Sequence, residues 1–243
     1  MNSGARPAFY ALSPGGWRDY VTLLHLPYTA WHLSYVAIGA ALAPEWRPAR
    51  LGAALVAFFL AVGIGAHALD ELHGRPLGTR VPRRALIAMA AVSIGAACLI
   101  GIVGALTFTP WLFAFVAFGA FIVNAYNLEL LGGRLHRDAT FALAWGAFPL
   151  LTAYFAAAER LSVAAITAAA FASLLSLAQR RLSSSVRMIR RRVASVSGVI
   201  ELKDGSRQLI TSQSMIAAPE AALRAMTAAT VVLAVALVLL RLT

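Results

Sequence analysis

The chain has 243 residues, 60% of them apolar and 13% charged, with a mean hydropathy of +0.75 and a formal net charge of +11. Such a composition excludes an ordinary soluble domain and points to helices in a bilayer, where about 20 consecutive apolar residues cross a ~30 Å hydrocarbon core. The single cysteine, Cys98, excludes an internal disulfide, and most cations lie in loops beside apolar runs, which argues for anionic lipid as their partner and against nucleic acid.

Residues 1–23 form a mixed segment with Pro7, Pro14, Gly15 and Gly16. No small-residue cleavage site follows the first apolar run, so a retained cytosolic N-terminal segment is predicted in place of a removable signal. Residues 24–243 read as one all-α membrane domain, a polytopic bundle of about seven spans at 24–43, 51–72, 85–106, 110–127, 139–158, 161–178 and 222–240. These runs are continuous, unlike the alternating strands of a β-barrel. With the N-terminus inside, seventeen of the lysines and arginines fall on the cytosolic side and only Arg47, Arg50, Arg160 and Arg241 fall outside. That bias sets the predicted orientation in a bacterial plasma membrane.

Span one carries Trp31, His32, Ser34 and Tyr35 after Pro27. A histidine in an apolar helix needs a partner or a wet cavity, so His32 serves either helix packing or a bound molecule. Span two ends in a knot of ionisable groups, His67, Asp70, Glu71, His73 and Arg75. His67, Asp70 and Glu71 stand at i, i+3 and i+4 and share a stripe. Two carboxylates suit Mg²⁺ with a substrate phosphate, whereas two histidines and a carboxylate suit zinc or iron. The competing reading is a helix end neutralised by Arg75, Arg80 or Arg83. Arg75 and Arg80, separated by a turn, form a pattern able to grip phosphate oxygens.

Span four ends in Asn124, Tyr126, Asn127 and Glu129, at the same predicted depth as His67. The two amides either orient a bound molecule or join helices to one another. The basic segment 179–221 is long for a bundle connection. Val186, Ile189 and Val193 lie on one face amid arginines, as in an interfacial helix or in a plain extension of span six. Asp204 and Gly205 between two β-rich runs predict a small hairpin. Neither this segment nor the N-terminal one is large enough to hold a core of its own. No Gly-x-Ser-x-Gly elbow, P-loop or GxGxxG pattern occurs, which disfavours hydrolase and nucleotide-driven pump chemistry.

Over about residues 15–160 the chain resembles the UbiA-type superfamily of intramembrane aromatic prenyltransferases. Arg18 to Pro27, followed by Ile38 to Ala43, is similar to that family's first helix. Asp70-Glu71-Leu72-His73-Gly74-Arg75-Pro76-Leu77 resembles the tail of its first aspartate motif, and Tyr126 to Arg137, with Gly146 to Leu150, resembles its fourth helix, loop and fifth helix. The resemblance implies a helical bundle around a lipid-open cavity in which Mg²⁺ grips an isoprenoid diphosphate, and an acceptor captures the allylic cation left when diphosphate departs. Ala66 and Gly63 stand at the positions of the motif's earlier aspartates, and residues 178–184 replace the second motif.

Under the enzyme reading Asp70, Glu71 and Arg75 are catalytic and the two carboxylates hold Mg²⁺. Arg80 holds diphosphate, and His32, His67, Asn124, Tyr126, Asn127 and Arg137 contact substrate. Under a binding reading the cavity holds an isoprenoid, quinone or other lipid without chemistry, and Arg180, Arg181 and Arg190 to Arg192 replace the missing motif. A transporter ranks third, since no pair of broken helices recurs in two halves. The charge inventory predicts metal-independent or very weak diphosphate binding and little turnover.

Overall fold

The structure, a computed structural model, describes residues 6–243. It is all-helical apart from one hairpin: α1 (Trp17–Leu23), α2 (Leu26–Leu42), α3 (Pro48–Leu72), α4 (Arg83–Thr107), α5 (Leu112–Asn127), α6 (Asp138–Ala158), α7 (Val163–Arg192), β1 (Val199–Glu201), β2 (Arg207–Leu209) and α8 (Ser212–Leu239). Helices α3, α4, α6, α7 and α8 are long and apolar enough to cross a membrane. The other two predicted spans are shorter: α2 has 17 residues and α5 has 16, which at 1.5 Å per residue gives about 24–26 Å.

Helices begin and end where local chemistry dictates. His25, with φ of 46°, takes the left-handed turn that separates α1 from α2, and Glu159 does the same between α6 and α7 at 56°. Pro27 and Pro48 sit in first turns, where a missing N–H costs nothing. Ser162 caps α7 by accepting from the Ala165 amide at 3.1 Å, and Thr211 and Ser214 form a reciprocal capping box on α8.

Successive long helices run in opposite directions, as contacts at both ends show. At one end the Arg50 guanidinium bridges to Glu159 at 2.8 Å and faces the Phe108 ring, while Arg241 donates to the carbonyls of Ala43 and Pro44. At the other end Arg180 pairs with Asp138 and Arg190 with Glu220. Helix α2 is the most enclosed: Trp31, Tyr35 and Val36 are fully buried between α3, α6 and α8. Gly39 on α2 lies against the Leu150 backbone, and Gly146 on α6 lies so close to α7 that an added Cβ would stand 2.6 Å from the Ala172 carbonyl. Small residues thus let α6 approach both neighbours.

The basic stretch after span six is no separate interfacial helix. It is the last third of the continuous α7, and Val186, Ile189 and Val193 pack against Ile216 and Leu223 of α8 and against Tyr28, not against lipid. Beyond it Val199 pairs with Leu209 and Glu201 with Arg207 in a two-stranded hairpin. Gly205 turns the chain at φ of 82°, and hydrogen bonds from the Ser206 hydroxyl and amide hold the Asp204 carboxyl below the usual carboxylate range.

Two helices widen locally. Phe59–Ala66 in α3 and Ala142–Ala147 in α6 are π-helical. A π turn shifts carbonyls out of the ordinary i to i+4 ladder and is common beside functional sites.

Candidate functional site

Both π-helical stretches face one polar cavity of ≈ 200 Å³ at the hairpin end of the bundle. Its histidines are set by backbone carbonyls. His67 Nδ1 donates to Gly63 at 3.1 Å and His32 Nδ1 donates to Trp145 at 2.9 Å, each acceptor lying in a π-helical stretch. His136 Nδ1 donates to the Tyr126 carbonyl at 3.2 Å. A carbonyl only accepts, so Nδ1 carries the proton in all three rings and Nε2 is the nitrogen left over. A fourth histidine, His25, stacks on His67 with ring centroids 4.0 Å apart and shares a hydrogen bond with the Tyr10 hydroxyl at 3.0 Å.

Tyr126, His136, Phe141 and Trp145 give the cavity an aromatic wall as well. Tyr126 lies 4.4 Å from both His136 and Trp145, and Phe141 stacks on Trp145 at 5.5 Å. The Arg180 guanidinium covers Tyr126 and Phe141 at 5.6 and 5.0 Å while its Nε holds Asp138. Three buried atoms on the cavity wall have no hydrogen-bond partner among the described residues: His25 Nε2, Tyr126 Oη and Gln179 Oε1. Buried polar atoms are costly when unpaired, so these three point to a polar guest.

The charge of the cavity is positive. Arg180, Arg187 and Arg191 line it, and among the described residues Asp70 is its one carboxylate. Arg187 donates to the hydroxyls of Ser183 and Ser184 at 2.9 and 2.8 Å, and Arg191 Nε donates to the Pro7 carbonyl at 3.2 Å. Among the described residues neither guanidinium has a carboxylate within bridging distance. The Tyr10 phenol also borders the cavity, and burial pushes its pKa up, keeping the hydroxyl protonated.

Of the residues singled out from sequence, His32, His67, Asp70, Tyr126 and Asn127 line this cavity. The others lie elsewhere. Glu71 is 1% exposed and turned under the following loop, where its oxygens accept from Leu77 N at 3.0 Å, Thr79 N at 2.8 Å and Thr79 Oγ1 at 2.8 Å. Arg75 braces the same loop by donating to the carbonyls of Thr79 and Val81 at 2.7 and 3.1 Å. Arg80 is exposed, with its amide held by Asp19 at 3.0 Å. Asn124 bonds back to the Ala120 carbonyl of its own helix, and Arg137 precedes α6 outside the cavity wall.

The oxygen donors present do not fit a Mg²⁺ ion shared by Asp70 and Glu71. Glu71 spends both oxygens on the loop, and among the described residues no three His, Cys, Asp or Glu side chains come together as a ligand set. Sequence reasoning passed over Tyr10, His25, Tyr28, His136, Gln179 and the inward placement of Arg187 and Arg191.

A second, apolar cavity of ≈ 150 Å³ lies between α3, α4, α5 and α6. Ala57, Ala61, Gly101 and Phe148 are among its walls, Arg50 stands at its far end, and Trp145 borders both cavities. Comparison with family models, with curated proteins and with solved structures finds no match to this chain.

Proposed function

We propose that this chain is a UbiA-like membrane protein that holds an isoprenoid lipid with an anionic, phosphate-bearing head, and that arginine replaces magnesium in gripping that head. The observation that carries this reading is that a cationic polar cavity and an apolar cavity share Trp145 as a wall residue. An amphiphile fits such a pair, its head among Arg180, Arg187 and Arg191 and its chain between α3 and α6. Guanidinium groups suit phosphate oxygens because their planar fork donates two parallel hydrogen bonds.

Tyr126, Asn127 and Gln179 then orient the head, and Asp70 limits the excess positive charge. The cation asymmetry of the loops favours a cavity open to the cytosol. Binding rather than turnover is the expected activity, since one carboxylate is a poor recruiter of the metal that ordinary diphosphate departure uses.

Equilibrium dialysis of the purified chain with farnesyl diphosphate tests the reading. Binding should survive a chelator and be lost in the double variant Arg187→Ala and Arg191→Ala. Robust Mg²⁺-dependent diphosphate release that disappears in Asp70→Ala would overturn it in favour of a working prenyltransferase.

A further inference from the structure

One wall of the polar cavity belongs to neither helix nor sheet. Pro7, Ala8, Phe9 and Tyr10 line it, and residues 6–12 run across the hairpin end as irregular chain with Ala8 and Ala11 buried at 8% and 1% exposure. Backbone buried outside regular structure needs partners for its polar groups. Here α7 supplies them: Arg190 Nη1 donates to the Arg6 carbonyl and Arg191 Nε to the Pro7 carbonyl, both at 3.2 Å. The Phe9 ring lies 4.9 Å from the Arg224 guanidinium on α8. Tyr10 reaches His25 at 3.0 Å, and the Leu12 amide donates to Thr22 Oγ1 at 3.0 Å.

These anchors are not equivalent. Arg190 is committed to Glu220 through two bonds of 2.6 and 3.0 Å, and Arg180 is held by Asp138, Arg187 by two serines. Arg191 lines the cavity, and its one hydrogen bond among the described residues goes to the Pro7 carbonyl. The bond to the Pro7 carbonyl has one ionised partner, whereas a guanidinium–phosphate pair has two and can form two parallel bonds. A phosphate oxygen therefore outcompetes the carbonyl for this side chain.

We propose that residues 6–12 are a gate over the polar cavity, closed by the Arg191–Pro7 contact and opened when an anionic head takes Arg191 from Pro7. The proposal rests on the reading of the cavity as a site for an anionic lipid head. Opening also releases His25 from Tyr10, so one event transfers Arg191 to the head and frees an imidazole. Thr22 anchors the gate at its root from outside the cavity, which separates the gate's stability from the ligand's contacts.

The test uses the full chain in detergent micelles with Cys98→Ala to remove the native thiol and Ala8→Cys as a reporter inside the closed gate. The rate of maleimide labelling is followed with farnesyl diphosphate, with inorganic diphosphate and with neither, while dialysis measures binding in parallel. Labelling should be slow without ligand and rise about tenfold at saturation, the response to an equilibrium shift on the scale of a charge-assisted hydrogen bond. Thr22→Val should speed ligand-free labelling by about fivefold, the effect of losing one hydrogen bond. Equal acceleration by inorganic diphosphate supports the gate and assigns the trigger to the head; acceleration by the lipid alone supports it and assigns part of the trigger to the chain. Bound farnesyl diphosphate with unchanged labelling overturns the gate and leaves the binding reading standing. Absence of binding in both wild type and Thr22→Val overturns the binding reading, and the gate falls with it.

Discussion

His32 donates its Nδ1–H to the Trp145 carbonyl at 2.9 Å, and this bond ties the middle of α2 to the π-helical stretch of α6. His67 repeats the arrangement within α3, donating to the carbonyl of Gly63. The widened turns thus supply the acceptors that orient two cavity imidazoles. Removing the donor leaves a buried carbonyl unpaired, which costs roughly 1–3 kcal/mol. His32→Ala should lower the thermal midpoint of the protein in micelles accordingly, and His32→Asn, which keeps a side-chain donor, should recover part of the loss. An unchanged midpoint in His32→Ala would show that the bond does not hold α2 to α6.

Asp70 and Glu71 stand at i+3 and i+4 from His67, which places them on one stripe in the sequence reading, yet consecutive helical residues project about 100° apart. One carboxylate reaches the cavity and the other reaches the loop. The expected phenotype of Glu71→Ala is therefore structural: three donors at Leu77 and Thr79 lose their acceptor, a destabilisation of roughly 2–4 kcal/mol. Glu71→Gln keeps one acceptor oxygen and should lose less. Chemical denaturation with a fluorescence readout measures both, and a variant that binds ligand poorly while remaining fully stable would return Glu71 to the site.

The cavity cations make an opposite pair of expectations for ligand affinity. Arg187→Ala should weaken farnesyl diphosphate binding by about tenfold or more, since a hydrogen bond to a charged group contributes roughly 1.5–3 kcal/mol. Arg80→Ala, an exposed side chain off the cavity wall, should leave affinity within about twofold. Titration calorimetry distinguishes the two, and the reverse ranking would move the anion site to the 75–81 loop.

Much of the architecture was legible because hydrophobic run length is a direct consequence of lipid solvation. The helices appear where the apolar runs are, and the Asp204–Gly205 turn stands between strands as its backbone preference requires. The site was legible only in part, because six segments far apart in sequence assemble it. Two signals were nonetheless present. His25 and His32 stand seven residues apart, the spacing of two helical turns, with His25 at the turn just before α2 and His32 within it. Arg180, Ser183, Arg187 and Arg191 form an i, i+3, i+7, i+11 stripe on α7, which a basic loop expected from topology alone conceals. The alternation between α-helical and π-helical turns carried no readable signal in composition, since Phe59–Ala66 simply continues the apolar run of α3.

The proposed orientation, with the polar cavity toward the cytosol, rests on how the two ends of the bundle treat their cations. At the end bearing Ala43 and Glu159 three of the four arginines are satisfied locally, Arg47 by Glu45, Arg50 by Glu159 and Arg241 by two carbonyls, and only Arg160 stands exposed without a partner among the described residues. The opposite end holds the cavity arginines and a larger excess of unpaired cations on the loops, the pattern of a cytosolic face. With Cys98→Ala as background, Lys203→Cys in the exposed hairpin turn and Thr243→Cys at the other end are both accessible reporters. An impermeant maleimide applied to intact cells should label position 243 and spare position 203 until the membrane is broken. Labelling of position 203 in intact cells would invert the topology and turn the polar cavity toward the outside, and a cytosolic isoprenoid diphosphate could then no longer be its ligand.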